Sequence, residues 1–301
     1  MTVSMTEAMS QYSLLSRCLT SAPRGTLRIW SLAVSFLGDC IVPRGGLVGL
    51  STISDVLGAC GIDAGAVRTA LSRLASDGWV ARVRSGRNSY YTLTPTALAE
   101  SQAASRRIYA ADPPQAPCGW QVMITAGLPP DGHRRLRETL LRQGAGTLDT
   151  HSFILPDHHP LRSEPGALLL PVSRLADDQA RLVVANAFDL AALARSYGNF
   201  LANHADLASH LAAGHTPADG LEAVALRVLM IHRFRRIVLR DPGLPACYLP
   251  ADWPGFAARK LAHELRASLS PAAESWLDER LIEPVGGHSD MLQNLLASAD
   301  N

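Results

Sequence analysis

Val67-Arg68-Thr69-Ala70-Leu71-Ser72-Arg73-Leu74 is the stretch whose reading decides the fold. Val67, Ala70, Leu71 and Leu74 recur at i, i+3, i+4 and i+7, the spacing of one buried helix stripe. Arg68, Thr69, Ser72 and Arg73, with Ser76 a turn later, share the opposite side. Short hydroxyl residues let a helix backbone approach a groove closely, and arginine reaches guanine edges or phosphates. An ordinary surface helix would turn the strong helix formers Glu and Lys outward; this face has neither. Asp63 is placed to cap the helix and Gly78 to end it.

Working outward, the apolar run from Leu27 to Asp39 predicts a mostly buried helix, broken by Pro43, Gly45 and Gly46. Ser51 or Thr52 can cap a second helix through Leu57, which Gly61 stops. Downstream, Trp79 to Arg84 and Ser89 to Leu93 read as strands joined by the turn Ser85-Gly86-Arg87-Asn88. Three helices followed by a hairpin is the order of a winged helix-turn-helix, whose third helix enters the major groove while the hairpin tip touches flanking DNA. Arg82, Arg84 and Arg87 load that hairpin. Thr94-Pro95 then opens a fourth helix, through Tyr109.

The segment Ala111-Asp112-Pro113-Pro114-Gln115-Ala116-Pro117 is the clearest linker. Beyond it, strands are expected at Trp120–Thr125, Asp149–Leu155, Ala167–Val172 and Ala180–Ala185, with a helix from Gly132 to Arg142, the makings of a small α+β sandwich. From Asp189 the pattern is helical: 189–204, 206–213, 219–239, 254–268 and 271–281. The stretch 221–239 is apolar on nearly all sides and reads as a core helix.

Composition excludes much. The chain has 301 residues, 28 basic against 27 acidic, and a net charge of +1. With 47% hydrophobic and 18% charged residues it can bury several cores, and long disordered tails are not expected. Lys260 is the only lysine, and it follows Arg259, so no phosphate-binding loop of the glycine–lysine type exists. No G-x-S-x-G, H-E-x-x-H or G-x-G-x-x-G occurs. Arginine binds phosphate, carboxylate or guanine and does not transfer protons, so the inventory favours binding over catalysis, with no catalytic residues assigned. Cys18, Cys40, Cys60, Cys118 and Cys247 are scattered and odd in number, which fits free thiols in a reducing cytoplasm. The N-terminus shows no signal-peptide pattern and no segment reads as a membrane span. His151 and Asp157-His158-His159 are read as a solvated loop and not as a metal site, because they lack zinc-ligand spacing.

Several segments resemble the PaaX family of bacterial transcriptional regulators. They are Phe36-Leu37-Gly38-Asp39 with Pro43-Arg44-Gly45-Gly46, the Val67–Leu74 run with Gly78-Trp79, and Gly86-Arg87-Asn88-Ser89-Tyr90-Tyr91-Thr92-Leu93-Thr94. A C-terminal block joins them: His232-Arg233-Phe234-Arg235-Arg236-Ile237-Val238-Leu239-Arg240-Asp241-Pro242, then Leu244-Pro245 and Leu249-Pro250-Ala251-Asp252-Trp253-Pro254-Gly255. The resemblance spans Leu27 to Leu281. The chain departs from the family pattern at Gly144-Ala145-Gly146 and at Phe188.

The resemblance implies an α+β, mostly helical protein. An arm (1–26) would precede a winged helix-turn-helix (27–110), a ferredoxin-like middle domain (118–188) and a helical effector and dimerisation domain (189–285). It implies a cytoplasmic repressor of aromatic, phenylacetate-type catabolic genes that binds double-stranded operator DNA as a homodimer. An aryl-acetyl-CoA such as phenylacetyl-CoA would release it; no cofactor, metal or membrane is called for. The middle domain would resemble a CRISPR-associated adaptation nuclease, but its strand Gln121-Val122-Met123-Ile124-Thr125-Ala126 has no carboxylate to hold a metal. The expected DNA contacts are Arg68, Thr69, Ser72, Arg73, Ser76, Arg84 and Arg87. Arg233, Arg235, Arg236 and Arg240 could meet CoA phosphates or pair locally with Asp241, Asp252 and Glu264, and Trp253 could stack a ring. The alternatives are a CoA-thioester-processing enzyme fused to a DNA module, and a winged helix serving protein contacts alone.

The +1 total hides a division. Residues 1–110 hold 11 arginines against 6 acidic groups, and Gly65 to Pro95 holds five against one. The positive charge sits at the end expected to meet DNA.

Overall fold

The computed structural model describes residues 14–20, 28–110, 119–159, 161 and 164–281. Most of the expected arm and the whole of the expected linker therefore lie outside the described residues. Among the described residues the protein is mixed α+β, 62% helical, with two small antiparallel sheets. Its contacts group the chain into two compact units, residues 1–109 with 202–234 and 261–301, and residues 110–201 with 235–260. The sequence divides the chain linearly; contact grouping instead gathers three separate segments into the first unit.

In the first unit, α1 (Leu14–Thr20) precedes α2 (Ile29–Phe36). The helix expected through Asp39 instead widens into a π turn over Leu37–Ile41 and a 3-10 turn over Val42–Arg44. The wider turn carries Asp39 into the interior, 3% exposed. A two-residue strand β1 (Val48–Gly49) leads into α3 (Leu50–Ala59), whose N-cap is Gly49 and not Ser51 or Thr52. Then comes α4 (Ala64–Ser76), capped by the Asp63 carboxylate, which accepts from the Ala66 amide at 2.9 Å. Gly78, at φ 72°, closes it: its amide reaches Ala75 O at 3.1 Å and that of Trp79 reaches Leu74 O at 2.8 Å, the paired bonds of a glycine-terminated helix.

β2 (Val80–Ser85) and β3 (Asn88–Leu93) pair in register from Val80↔Leu93 to Ser85↔Asn88, leaving Gly86-Arg87 as a two-residue turn. Gly86 at φ 58° occupies the first central position, where such a turn needs glycine. β1 pairs with the outer edge of β3. α5 (Pro95–Ile108) is capped by Thr94, whose hydroxyl also donates to Gly78 O at 2.7 Å and so ties the helix start to the end of α4.

In the second unit, β4 (Trp120–Ile124), α6 (Pro130–Arg142), β5 (Gly146–Asp149), β6 (Ser152–Pro156) and β7 (Leu168–Val172) form a sheet of order β5-β6-β4-β7, antiparallel throughout. Met123, Phe153, Leu155 and Leu169 face Leu136 and Leu140 of α6. Trp120, Val122 and Ile154 face Ala180 and Val184 on the other side. Those two residues belong to α7 (Asp177–Ala187), where the sequence suggested a strand at Ala180–Ala185. The run Leu182-Val183-Val184 is short and apolar and fits either period. Asp177 and Asp178 in the first turn favour the helix N-terminus, and the i, i+4 pair Ala180 and Val184 supplies its buried stripe.

Two of the remaining helices, the first and the last, are longer than their sequence segments suggest. α8 (Leu190–Ala212) runs unbroken, α9 (Gly220–Val238) is the expected core helix, and α10 (Pro254–Arg280) continues through Pro271. Ser270 beside that proline donates its hydroxyl to Arg266 O at 2.8 Å. Leu265, Leu269, Ala273 and Leu277 stay buried across the break, so packing overrides the missing amide.

Candidate nucleic-acid interface

The site is built on α4 because its two sides are chemically distinct. Val67, Ala70, Leu71 and Leu74 are buried, at most 8% exposed, while Arg68, Thr69, Ser72, Arg73 and Ser76 are all exposed. Thr69 and Ser76 turn their hydroxyl protons back onto the helix, donating to Gly65 O at 3.0 Å and Ser72 O at 3.1 Å. Their oxygens remain as acceptors close to the backbone. Arg73 has Asp77 one turn on, at 3.8 Å with both side chains well exposed, an interaction water screens heavily.

The hairpin supplies the second row. Arg82 and Arg84 alternate outward along β2, and Arg87 stands at the tip. Arg82 is braced across the strands, donating to Ser89 Oγ at 3.2 and 2.7 Å. Arg68, Arg84 and Arg87 have no ion-pair partner among the described residues. Tyr91 packs inward at 6% exposure, and Tyr90 is half-buried. Between α4 and the hairpin lies an open groove of about 560 Å³ that Arg68 and Arg87 both line. Arg280, at the end of α10, reaches the same groove; 212 residues separate it from Arg68, and no local pattern in the sequence announces it.

The five residues expected to meet an effector divide between the units. Arg233 lies in the first, half-buried, and donates to Cys18 O at 2.8 Å, a partner outside the three acidic candidates. Burial depresses its pKa below the usual guanidinium value. Arg235, Arg236, Arg240 and Trp253 lie in the second, with Arg236 and Arg240 exposed. Trp253 is 6% exposed and stands edge-on to Tyr197, ring centres 6.0 Å apart; Tyr197 donates to Asp241 at 2.7 Å. A ligand ring could stack on this indole only after displacing its neighbours. His159 is buried, its Nε2 2.9 Å from Pro242 O, rather than in a solvated loop. Among the described residues no three His, Cys, Asp or Glu side chains are placed to share an ion, and no helix is long and apolar enough to cross a membrane.

The first unit also holds a charge network whose partners no local sequence pattern announces. Asp39 accepts from Arg227 Nε at 2.7 Å and from the Tyr109 hydroxyl at 2.5 Å, with Arg266 Nε at 3.4 Å. Arg227, 1% exposed, also meets Glu274, which pairs in turn with Arg44. Burial opposes ionisation of Asp39, but the Arg227 guanidinium and the hydrogen bonds to it win, so its carboxyl is held below the usual value.

Known proteins resemble this chain along most of its length. The family described as PaaX-like protein matches residues 28–97, and PaaX-like protein C-terminal domain matches residues 188–279. The Transcriptional repressor PaaX of Escherichia coli (strain K12) is 30% identical over 271 residues, 85% of each chain. A solved structure of an uncharacterized protein from Mycobacterium tuberculosis superposes with a TM-score of 0.52 at 21% identity, covering 81% of this chain and 97% of that one. That likeness is one of fold. With both ends matched in order and a full-length relative at this identity, the chain belongs to the PaaX family.

Proposed function

We propose that the protein is a DNA-binding transcriptional repressor and that Arg68, Thr69, Ser72, Arg73, Ser76, Arg84 and Arg87 form its DNA-reading surface. In this reading residues 27–110 are a winged helix-turn-helix, with α4 entering the major groove and the β2–β3 turn contacting the flanking backbone or minor groove. Residues 118–188 are a ferredoxin-like domain in which the second helix follows the fourth strand instead of preceding it, and residues 189–285 are a helical effector and dimerisation domain. The observation that carries the reading is the row of exposed guanidiniums, Arg68, Arg84 and Arg87, which no carboxylate among the described residues neutralises. A surface helix built for solubility would pair such charges or use lysine and glutamate instead.

The regulated genes in this reading are those for breakdown of an aromatic acid of the phenylacetate type, as the family resemblance implies. The inducer is an aryl-acetyl-CoA, phenylacetyl-CoA being the first to try, and the repressor acts in the cytoplasm as a homodimer whose two α4 helices match a two-fold operator. The inducer needs only a higher affinity for the arrangement that does not fit DNA.

The test is a mobility shift on DNA flanking the protein's own gene, with a panel of aryl-CoA thioesters and their free acids. Retardation relieved by one thioester and not by its acid is expected; no retardation at low salt would sink the proposal. Arg68→Ala is expected to weaken operator binding by about 1–3 kcal/mol if it reads a base.

A further inference from the structure

Three guanidiniums line the groove beside α4: Arg68 from that helix, Arg87 from the β2–β3 turn and Arg280 from the last turn of α10. Ser51, Asn88 and Ser89 add hydroxyl and amide groups, and none of the described residues lining it is Asp or Glu. Arg280 is held lightly and in a fixed plane. Its Nη1 donates to Asp55 of α3 at 3.1 Å, and its Cζ lies over the Trp276 ring, 5.1 Å from the centre. Nε and Nη2 meet no partner among the described residues. The helix end that carries it is anchored within the same unit: Asp278 accepts from Arg44 at 3.0 Å, and Glu274 pairs with both Arg44 and Arg227.

We infer that Arg280 is a DNA-backbone contact: in the complex its guanidinium exchanges Asp55 for a phosphate and, with Arg68 and Arg87, seats the duplex backbone in this groove. The inference rests on the DNA-binding reading of α4 and the hairpin and extends it, because the DNA surface then reaches beyond residues 27–110 to the end of α10. Charge is the first argument. Three cations around one groove with no carboxylate in its lining repel one another, and a polyanion relieves that repulsion. The second is the weakness of the present partner. The side chains of Arg280 and Asp55 are 52% and 40% exposed, so water screens their pair and leaving it costs little. The third is geometry: stacking on Trp276 keeps the guanidinium plane in place while its partner changes, and its fork suits two phosphate oxygens at once. Leu47 and Leu50, also in the lining, offer the sugar an apolar surface.

The test uses full-length chains and operator DNA. Arg280→Gln keeps an apolar stem over Trp276 and removes the charge. It is expected to bind roughly two- to fivefold more weakly per bound copy and to reduce the magnitude of the slope of log K against log salt by about 0.9. Arg280→Lys is expected to restore the slope. Asp55→Asn, which releases Arg280, is expected to bind roughly two- to fivefold more tightly, a gain that vanishes in the Arg280→Gln background. A purely structural pair would give no gain, and either that result or a gain that persists in the double variant overturns the exchange. Phenylglyoxal labelling of the unaltered protein supplies a second measurement: operator DNA is expected to shield Arg280 together with Arg68 and to leave Arg181 on α7 reactive. An unchanged slope in Arg280→Gln, or an Arg280 that stays reactive while Arg68 is shielded, overturns the assignment and leaves the DNA-binding reading standing. If the unaltered protein retards no DNA and neither arginine is shielded, both fall.

Discussion

Asp39 and Arg227 show how one residue pair disciplines the first unit. Each is 1% exposed at the side chain, and each would be an uncompensated buried charge without the other. Asp39→Asn or Arg227→Ala is therefore expected to lower unfolding stability by about 3–5 kcal/mol, measured by urea denaturation, whereas Asp278→Asn, at an exposed pair with Arg44, should change it by less than about 1 kcal/mol. Because the folded pKa of Asp39 is depressed, its stabilising effect is present above the unfolded value near 3.9 and disappears as pH falls through the folded one. The thiols act at the other limit. Burial pushes Cys60 up to about 12 and Cys18 to about 11, from an ordinary 9.0. The folded chain keeps protons that the unfolded chain releases, so their contribution is full below pH 9 and lost as pH rises beyond it. A urea midpoint that stays level from pH 9 to 11 would contradict this.

At the scale of elements, the hairpin and α3 offer opposite tests of glycine. A Cβ on Gly86 would meet nothing within 4 Å, so Gly86→Ala isolates the cost of its φ of 58°. That cost is about 1–2 kcal/mol and should appear as a lower melting temperature. Gly58 is also open on all sides but sits inside α3 with ordinary helical backbone, and Gly58→Ala should raise stability by about 0.5–1 kcal/mol. Gly146 has a different reason to be glycine: an added Cβ would fall 2.8 Å from the Phe188 ring.

These elements also mark how far sequence reaches. α4, its cap, its buried stripe and a hairpin turn around Gly86 were legible because local chemistry dictates each: Asp63 before the helix, Gly78 after it, Gly86 in the turn, although Ser85 and Asn88 belong to the strands. The arginines of the candidate interface were legible for the same reason, since exposure follows from helix and strand period. The π turn at Leu37–Ile41 was not, because it exists to bring Asp39 to Arg227, 188 residues away. Nor was α7, where an apolar run satisfied two periods and the packing of Ala180 and Val184 on the sheet chose between them. The groove contribution of Arg280 escapes the sequence because only the tertiary fold carries it there.

For the whole molecule, the near-zero net charge is an average over unlike parts. Residues 1–110 carry a net +5 and the remaining residues a net −4. Binding should therefore be strongly salt-dependent although the protein as a whole is almost neutral. Arg84→Ala is expected to reduce the magnitude of the slope of log K against log salt by about 1 per bound copy, leaving sequence preference intact, as for a phosphate contact. Arg181→Ala, exposed on α7 in the other unit, should leave the slope unchanged.

The bond between Asp39 and Arg227 also sets an order of events during synthesis. A ribosome adding about 5–20 residues per second reaches position 227 roughly 10–40 s after position 39. Throughout that interval the nascent N-terminal segment, α4 included, lacks the guanidinium that neutralises its buried carboxylate and the helices that cover its core. The first unit can therefore close around Asp39 only after the chain has passed position 227.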